Sequence, residues 1–174
     1  MTDDVRQQII ELLPRLRAFA RSLAPGWDQA DDLVQLTVEK GLRNLSGFTE
    51  GTRLDSWLFR IMRNAWIDQH RARRDAVEIG QVDMAQQLVG EDGRRVTEAR
   101  LELVRVRGAM DALPQEQREV LMLVCVEGFR YREAADALDI PVGTVMSRLA
   151  RARATLASEL GMQPETAPKK GEAR

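Results

Sequence analysis

The sequence predicts an all-α protein: two small helical domains joined by a flexible linker. Three observations carry that expectation. Apolar residues recur at helical spacing through most of the chain, without the strict alternation of half-buried strands. The composition is rich in Ala, Leu, Arg, Glu and Asp, and aromatics are only 5% of the 174 residues, which favours helices over sheets. Residues 76–95 break the periodicity with Gly80, Gly90, Gly93 and scattered acids. They divide the chain into a first domain over 5–75 and a second over 96–160, with a tail at 161–174 rich in Pro, Gly, Lys and Glu that reads as disordered.

Each element has its own local justification. Residues 4–23 read as a helix that Pro14 restarts or kinks and Ala24-Pro25-Gly26 stops. Asp28 suits the cap of a second helix running to Arg43, whose Leu33, Val34, Leu36, Val38 and Leu42 make a broad apolar face. Ser46–Thr52 holds two glycines and reads as a loop. Helix resumes near Leu54 and continues to about Arg74, with Leu58, Ile61, Met62 and Ala65 in one stripe. Beyond the linker, helix is expected over 96–112, then after Leu113-Pro114 over 115–126, then over 130–138, and last from about residue 144 to Leu160.

Several chemistries are excluded. The single Cys and single His provide neither a disulfide framework nor a protein zinc site. There is no phosphate-loop, dinucleotide or nucleophile-elbow motif. No catalytic constellation stands out, and neither a cofactor nor a metal is expected. Cys125, inside an apolar run, reads as a small buried residue, and His70, among arginines, as part of a solvated face. With no apolar run near the ~20 residues of a membrane span and no signal peptide, the expected location is the cytoplasm.

The charge is unevenly placed. Overall it is −1. Arg53, Arg60, Arg63, Arg71, Arg73 and Arg74 outnumber Asp55 and Asp68, whereas residues 75–99 carry six acids against Arg94 and Arg95. Arg148, Arg151 and Arg153 then stand without a neighbouring acid. Two basic stretches flanking an acidic one suit contact with a polyanion at two places, or two solvated helix faces.

The sharpest local signal runs from Tyr131 to Val145. A short helix carries small Ala134 and Ala135, then turns within a few residues into another helix, as a helix-turn-helix requires. On that last helix Val145, Leu149, Ala152 and Leu156 share one face. The other side presents Gly143, Thr144, Ser147, Ala150 and Arg151, with Arg148 at the boundary. Short polar and basic residues there suit entry into a major groove.

With these residues on the page, the stretch ALPQEQREVLMLVCVEGFRYREAADALDIPVGTVMSRLARARATL resembles domain 4 of extracytoplasmic-function RNA polymerase sigma factors, within the sigma-70 superfamily. The stretches DDLVQLTVEKGLRNLSGF and RLDSWLFRIMRNAWIDQHRARR resemble their domain 2. The two lie in the family's order and separation and match its short form. The resemblance implies a non-enzymatic protein that binds core RNA polymerase, directs it to promoters through the −10 and −35 elements, and helps initiate transcription. It also implies an anti-sigma factor as a partner.

Residue roles follow from the same resemblance. Asp31, Asp32, Leu33, Val34 and Gln35 would dock on the polymerase; Leu36 stands where the family often has an acid. Phe48 and Asn64 match the pocket that captures a flipped −10 base, and Arg53, Arg60, Arg63, Arg71, Arg73 and Arg74 would meet phosphates. Thr144, Met146, Ser147, Arg148, Ala150 and Arg151 would read the −35 duplex. Met146 replaces the usual Lys or Arg, and Arg148 would meet a phosphate or pair with Glu133. Trp57 is expected in the core, whereas Phe59 and Trp66 fit either packing on the first helix or meeting an unpaired base. A free-standing helix-turn-helix regulator and an adaptor binding acidic partners remain the alternatives.

Overall fold

The computed structural model describes residues 2–24, 26–49, 51–78 and 98–162. Among them the regular elements are helical: α1 (Thr2–Leu23), α2 (Trp27–Arg43), α3 (Leu54–Glu78), α4 (Glu98–Asp111), α5 (Gln115–Leu121), α6 (Tyr131–Leu138) and α7 (Val142–Glu159). A 3-10 turn covers Leu45–Gly47 and a π turn covers Met122–Val126. All but the first residues of the expected linker, and the tail beyond residue 162, fall outside the described residues.

The helices start and stop for local reasons. Pro14 does not interrupt α1, which runs unbroken through it. At α2 the expected cap is corrected: Gly26, extended at φ −115° and ψ 153°, precedes the first residue Trp27, and Asp28 lies within the first turn. There its charge still meets the positive end of the helix dipole. Helix α2 crosses α3 closely at Gly41, where a Cβ would lie 3.0 Å from Leu58 Cδ2.

In the second lobe α6 and α7 form the helix-turn-helix. Ala134 and Ala135 are buried, so the two helices approach without bulky side chains between them. Asp139 makes the turn in the left-handed region at φ 51°. The stripe of Val145, Leu149 and Ala152 is buried and Leu156 packs at its edge.

One sequence expectation changes here and one open reading closes. Cys125 is exposed, because the π turn carries an extra residue; the Glu127 amide donates to the Met122 carbonyl at 2.9 Å. That insertion shifts the helical phase and turns Cys125 outward, where its Sγ accepts a hydrogen bond from Arg153 at 3.6 Å. Phe59 and Trp66, left open by the sequence, are both core residues, 1% and 2% exposed. Trp57 is half-buried and packs on the core.

The two lobes share one continuous core. Phe59 of α3 meets Phe19 of α1 edge-on at 4.9 Å and Phe129 of the second lobe at 5.6 Å. Helices α1 and α5, and α3 and α6, pack directly against each other. The separation into two lobes legible in the sequence is thus a separation of chain segments, and the lobes themselves are closed together.

Phe59→Ala removes the ring that lies between the two lobes, and a fully buried aromatic truncated to Ala costs about 3–5 kcal/mol. Urea unfolding of the full chain should register that loss. A change under ~0.5 kcal/mol, the range of an ordinary surface site, would contradict the packing.

Candidate polymerase and promoter interfaces

Helix α2 presents a divided surface. Asp31, Asp32 and Gln35 are exposed, while Leu33 and Val34 are buried in the first lobe's core. The two aliphatic residues therefore fix the helix and leave the polar three for a partner. Gln35 Nε2 donates to Glu39 Oε1 at 3.2 Å, and Arg17 lies 4.0 Å from Asp31 with both side chains well exposed. Such solvated contacts are weak. Leu36 is half-buried and packs on the core.

The loop after α2 and the start of α3 enclose a cavity of about 600 Å³. Thr49, Thr52, Arg53, Ser56, Trp57 and Arg60 line it from the first lobe, and Glu133 and Asp136 line it from α6. Phe48 is half-buried and tilts on Trp57 at 5.4 Å. Asn64 is exposed, one turn beyond Arg60, and the lining residues do not include it. Arg71 and Arg73 are exposed; Arg74 belongs to α3.

Arg53, Arg60 and Arg63 all bond to the second lobe. Arg53 pairs with Asp55 at 2.7 Å and with Glu133 at 3.0 Å, and its guanidinium sits 4.4 Å from the Phe129 ring centre. The hydrogen bonds it donates to Asp55 and Glu133 outweigh burial and push its pKa above the ordinary arginine value. Arg60 Nε donates to the Asp136 carbonyl at 3.0 Å. Arg63 Nε donates to Glu119 Oε2, also at 3.0 Å.

Burial acts to raise the Asp55 pKa, but hydrogen bonds from Arg53 and the Ser56 amide, with the charges of Arg53 and Arg15, hold it below the ordinary carboxylate range. Arg15 lies 3.0 Å from Asp55 and also pairs with Glu127 across the lobe boundary. The Arg130 backbone N–H, donating at 2.7 Å, and the Arg53 side chain likewise lower the pKa of Glu133.

The outer face of α7 carries the residues expected to read the −35 duplex. Met146, Ser147, Ala150 and Arg151 are exposed and Thr144 is half-buried. Ser147 Oγ donates back to the Thr144 carbonyl at 3.1 Å. The expected Arg148–Glu133 pair is corrected: Arg148 reaches Glu116 at 2.8 Å, because Glu133 is taken by Arg53.

Sequence reasoning missed Arg15, Arg118, Glu119 and Glu127. Arg118 Nη1 donates to the Ser22 carbonyl at 3.0 Å, from α5 to α1. The available signal was the position of Glu119 beside Val120, Leu121 and Leu123, an acid where the period demands a core residue. Among the described residues no group of three or more His, Cys, Asp or Glu is placed to hold a metal, and no helix is long and apolar enough to cross a membrane.

An outward-facing helix-turn-helix and a basic first lobe with an acid-bearing neighbouring helix define a DNA-binding transcription protein. The sigma-70 region 2 model matches residues 9–76 and the sigma-70 region 4 model residues 103–156. The ECF RNA polymerase sigma factor EcfG of Rhodopseudomonas palustris is 43% identical over 160 residues, spanning 92% of this chain and 87% of that protein. The sigma factor RpoE of Bartonella quintana, solved with the anti-sigma factor NepR, superposes with a TM-score of 0.79 at 34% identity, over 91% of this chain and 97% of the other. CnrH, solved with the cytosolic domain of CnrY, gives a TM-score of 0.67 at 30% identity over 92% and 90% of the two chains. The chain belongs to the extracytoplasmic-function group of sigma-70 RNA polymerase sigma factors, which direct promoter-specific transcription.

The depressed Asp55 carboxyl generates a pH prediction. An unfolded Asp titrates near ~3.9, and the folded group lies lower. Its stabilisation is therefore complete above the unfolded value and lost as pH falls through the folded one. Asp55→Asn should be less stable than wild type at neutral pH, with the gap closing in strong acid. Urea midpoints across a pH series will show a constant gap instead if Asp55 titrates normally.

Proposed function

We propose that this chain meets its partners through three surfaces. Asp31, Asp32 and Gln35 of α2, held by Leu33 and Val34, dock on core RNA polymerase. Phe48, Arg53, Arg60, Arg63, Asn64, Arg71, Arg73 and Arg74 meet the −10 strand as it leaves the duplex. Thr144, Met146, Ser147, Arg148, Ala150 and Arg151 read the −35 duplex, with Arg148 positioned by Glu116. The protein works by binding rather than catalysis: flipped bases and neutralised phosphates offset the unstacking of a few kcal/mol per step. An anti-sigma factor is the partner that holds it inactive, and the cytoplasm, beside the chromosome, is where it acts.

The observation that carries this reading is α7 itself. Its apolar stripe is buried while Met146, Ser147, Ala150 and Arg151 point to solvent, with the short Ser147 and Ala150 leaving room for a groove floor beside the longer Met146 and Arg151. The test is run-off transcription with core polymerase on a genomic promoter library, where specific start sites are expected from the full chain and none from polymerase alone.

Two variants divide the surfaces. Arg151→Ala should weaken −35 duplex binding by ~1–3 kcal/mol if it reads a base, with holoenzyme assembly unchanged. Asp32→Arg with Gln35→Ala should do the reverse, lowering the affinity for core polymerase in a pull-down titration. Loss of both functions in either variant would mean that the two surfaces are not separate.

A further inference from the structure

A second cavity, of about 240 Å³, opens where α1, α4 and α5 meet. Its charge is unlike that of the cavity beside the α2–α3 loop, where Arg53 and Arg60 stand against Glu133 and Asp136. Here Arg21 of α1, Arg107 of α4 and Arg118 of α5 all line the hollow, and among the described residues the one lining acid is Asp111. None of the three arginines belongs to the polymerase, −10 or −35 surfaces proposed above.

The protein itself does not neutralise these charges. Arg118 donates from Nη1 to the Ser22 carbonyl at 3.0 Å and from Nη2 to the Asp111 and Leu113 carbonyls at 3.0 and 2.9 Å. Such acceptors satisfy N–H groups but bring no full charge. Asp111 stands 3.9 Å from Arg118 with its side chain 61% exposed, a loose, solvated pair. Arg21 and Arg107 both lie over the Trp27 ring, 3.1 and 5.7 Å from its centre, and among the described residues neither closes an ion pair with a carboxylate. Burial and the charge of Arg107 press the Arg21 pKa below its ordinary value, and the pull of Asp31 does not offset them. Like charges crowded around a hollow are unfavourable until an anion joins them.

Charge and volume together define that anion. Three guanidinium groups against one carboxylate leave two positive charges, and several planar forks suit the many oxygens of a phosphate better than the pair on a carboxylate. At ~30 Å³ for each water-sized group, the hollow has room for about eight of them. A single phosphate would leave it half empty, whereas a diphosphate, with about nine heavy atoms, fills it. Met110 and Met122 complete the wall with pliable apolar surface. We propose that this cavity binds a diphosphate group, held by Arg21 and Arg107 with Arg118 adding its charge, and carried by inorganic pyrophosphate or by a nucleoside diphosphate. The nucleoside would in addition meet Trp27, which is 44% exposed beside the two arginines. A ligand held by the folded chain alone also stabilises it by mass action.

Calorimetric titration of the free full-length chain with sodium pyrophosphate should show one site per chain, with a matching rise in melting temperature. Arg21→Gln and Arg107→Gln should each weaken binding about tenfold, the loss of one charge-assisted hydrogen bond. Arg105→Gln removes the same charge from the same helix without lining the cavity, and it should bind as wild type. Orthophosphate should bind about tenfold more weakly than pyrophosphate, because it leaves part of the charge unmet. ADP that binds more tightly than pyrophosphate, with the gain lost in Trp27→Ala, supports the site and identifies a nucleotide as the source. Equal or weaker ADP binding supports the site and identifies the inorganic ion.

Absence of both heat and thermal shift with either compound at millimolar concentration overturns the site. So does an equal loss in Arg105→Gln and Arg107→Gln, the mark of diffuse attraction to a basic surface. If Arg21→Gln and Arg107→Gln keep their pyrophosphate affinity but weaken binding to promoter DNA or core polymerase, the cluster serves a macromolecule and the proposal fails. Should circular dichroism show that Arg21→Gln loses its helices, Arg107→Gln carries the test alone, because that side chain is exposed.

Discussion

Arginine side chains crossing between the two lobes set the arrangement on which the rest of the structure depends. Arg15, Arg53, Arg60 and Arg63 reach from the first lobe to Glu127, Glu133, the Asp136 carbonyl and Glu119, and Arg118 reaches back to the Ser22 carbonyl. Aromatic contact alone would tolerate sliding, because the edge-on packing of Phe59 between Phe19 and Phe129 has a broad optimum. Charge does not tolerate it. A guanidinium displaced from its carboxylate inside a poorly hydrated boundary is left with its desolvation cost uncompensated. The apolar core thus supplies attraction while the arginines fix the register.

That register gives the three candidate surfaces unequal access to solvent. On α2, Asp31, Asp32 and Gln35 face away from the boundary, and on α7 so do Met146, Ser147, Ala150 and Arg151. The basic start of α3 instead faces α6 and α5. The helix proposed to read duplex DNA thus stays open to solvent, whereas three of the arginines proposed for the −10 strand, Arg53, Arg60 and Arg63, lie at the lobe boundary.

The chain's local grammar was legible wherever a side chain's fate depends on its own helix. The α6–α7 turn follows from Ala134, Ala135 and the spacing of Val145, Leu149 and Ala152. The exposed acids of α2 follow from the period set by Leu33 and Val34. What was not legible depends on neighbours distant in sequence. Phe59 and Trp66 lie off the main α3 stripe, and only the packing of α1 and the second lobe makes their side core. Cys125 was misassigned because a π turn changes the helical phase without leaving a composition signal. The acid offered to Arg148 as an alternative to a phosphate was the wrong one, because Glu133 pairs with Arg53, 80 residues earlier in the chain. Motif resemblance supplied candidate functional residues but not their partners within the fold, since motifs describe what a surface meets and not what it rests against.

The same contacts explain why total charge was a poor guide to function. With 26 basic and 27 acidic side chains, the chain is nearly neutral, which by itself argues against a polyanion partner. The neutrality is partly internal, however. Glu119 and Glu133 of the second lobe offset Arg63 and Arg53 of the first, so the field of the whole chain understates the positive charge that the first lobe carries. A sequence average cannot distinguish a protein that lacks a basic surface from one whose basic surface is covered by its own second half; the distinction exists only in three dimensions.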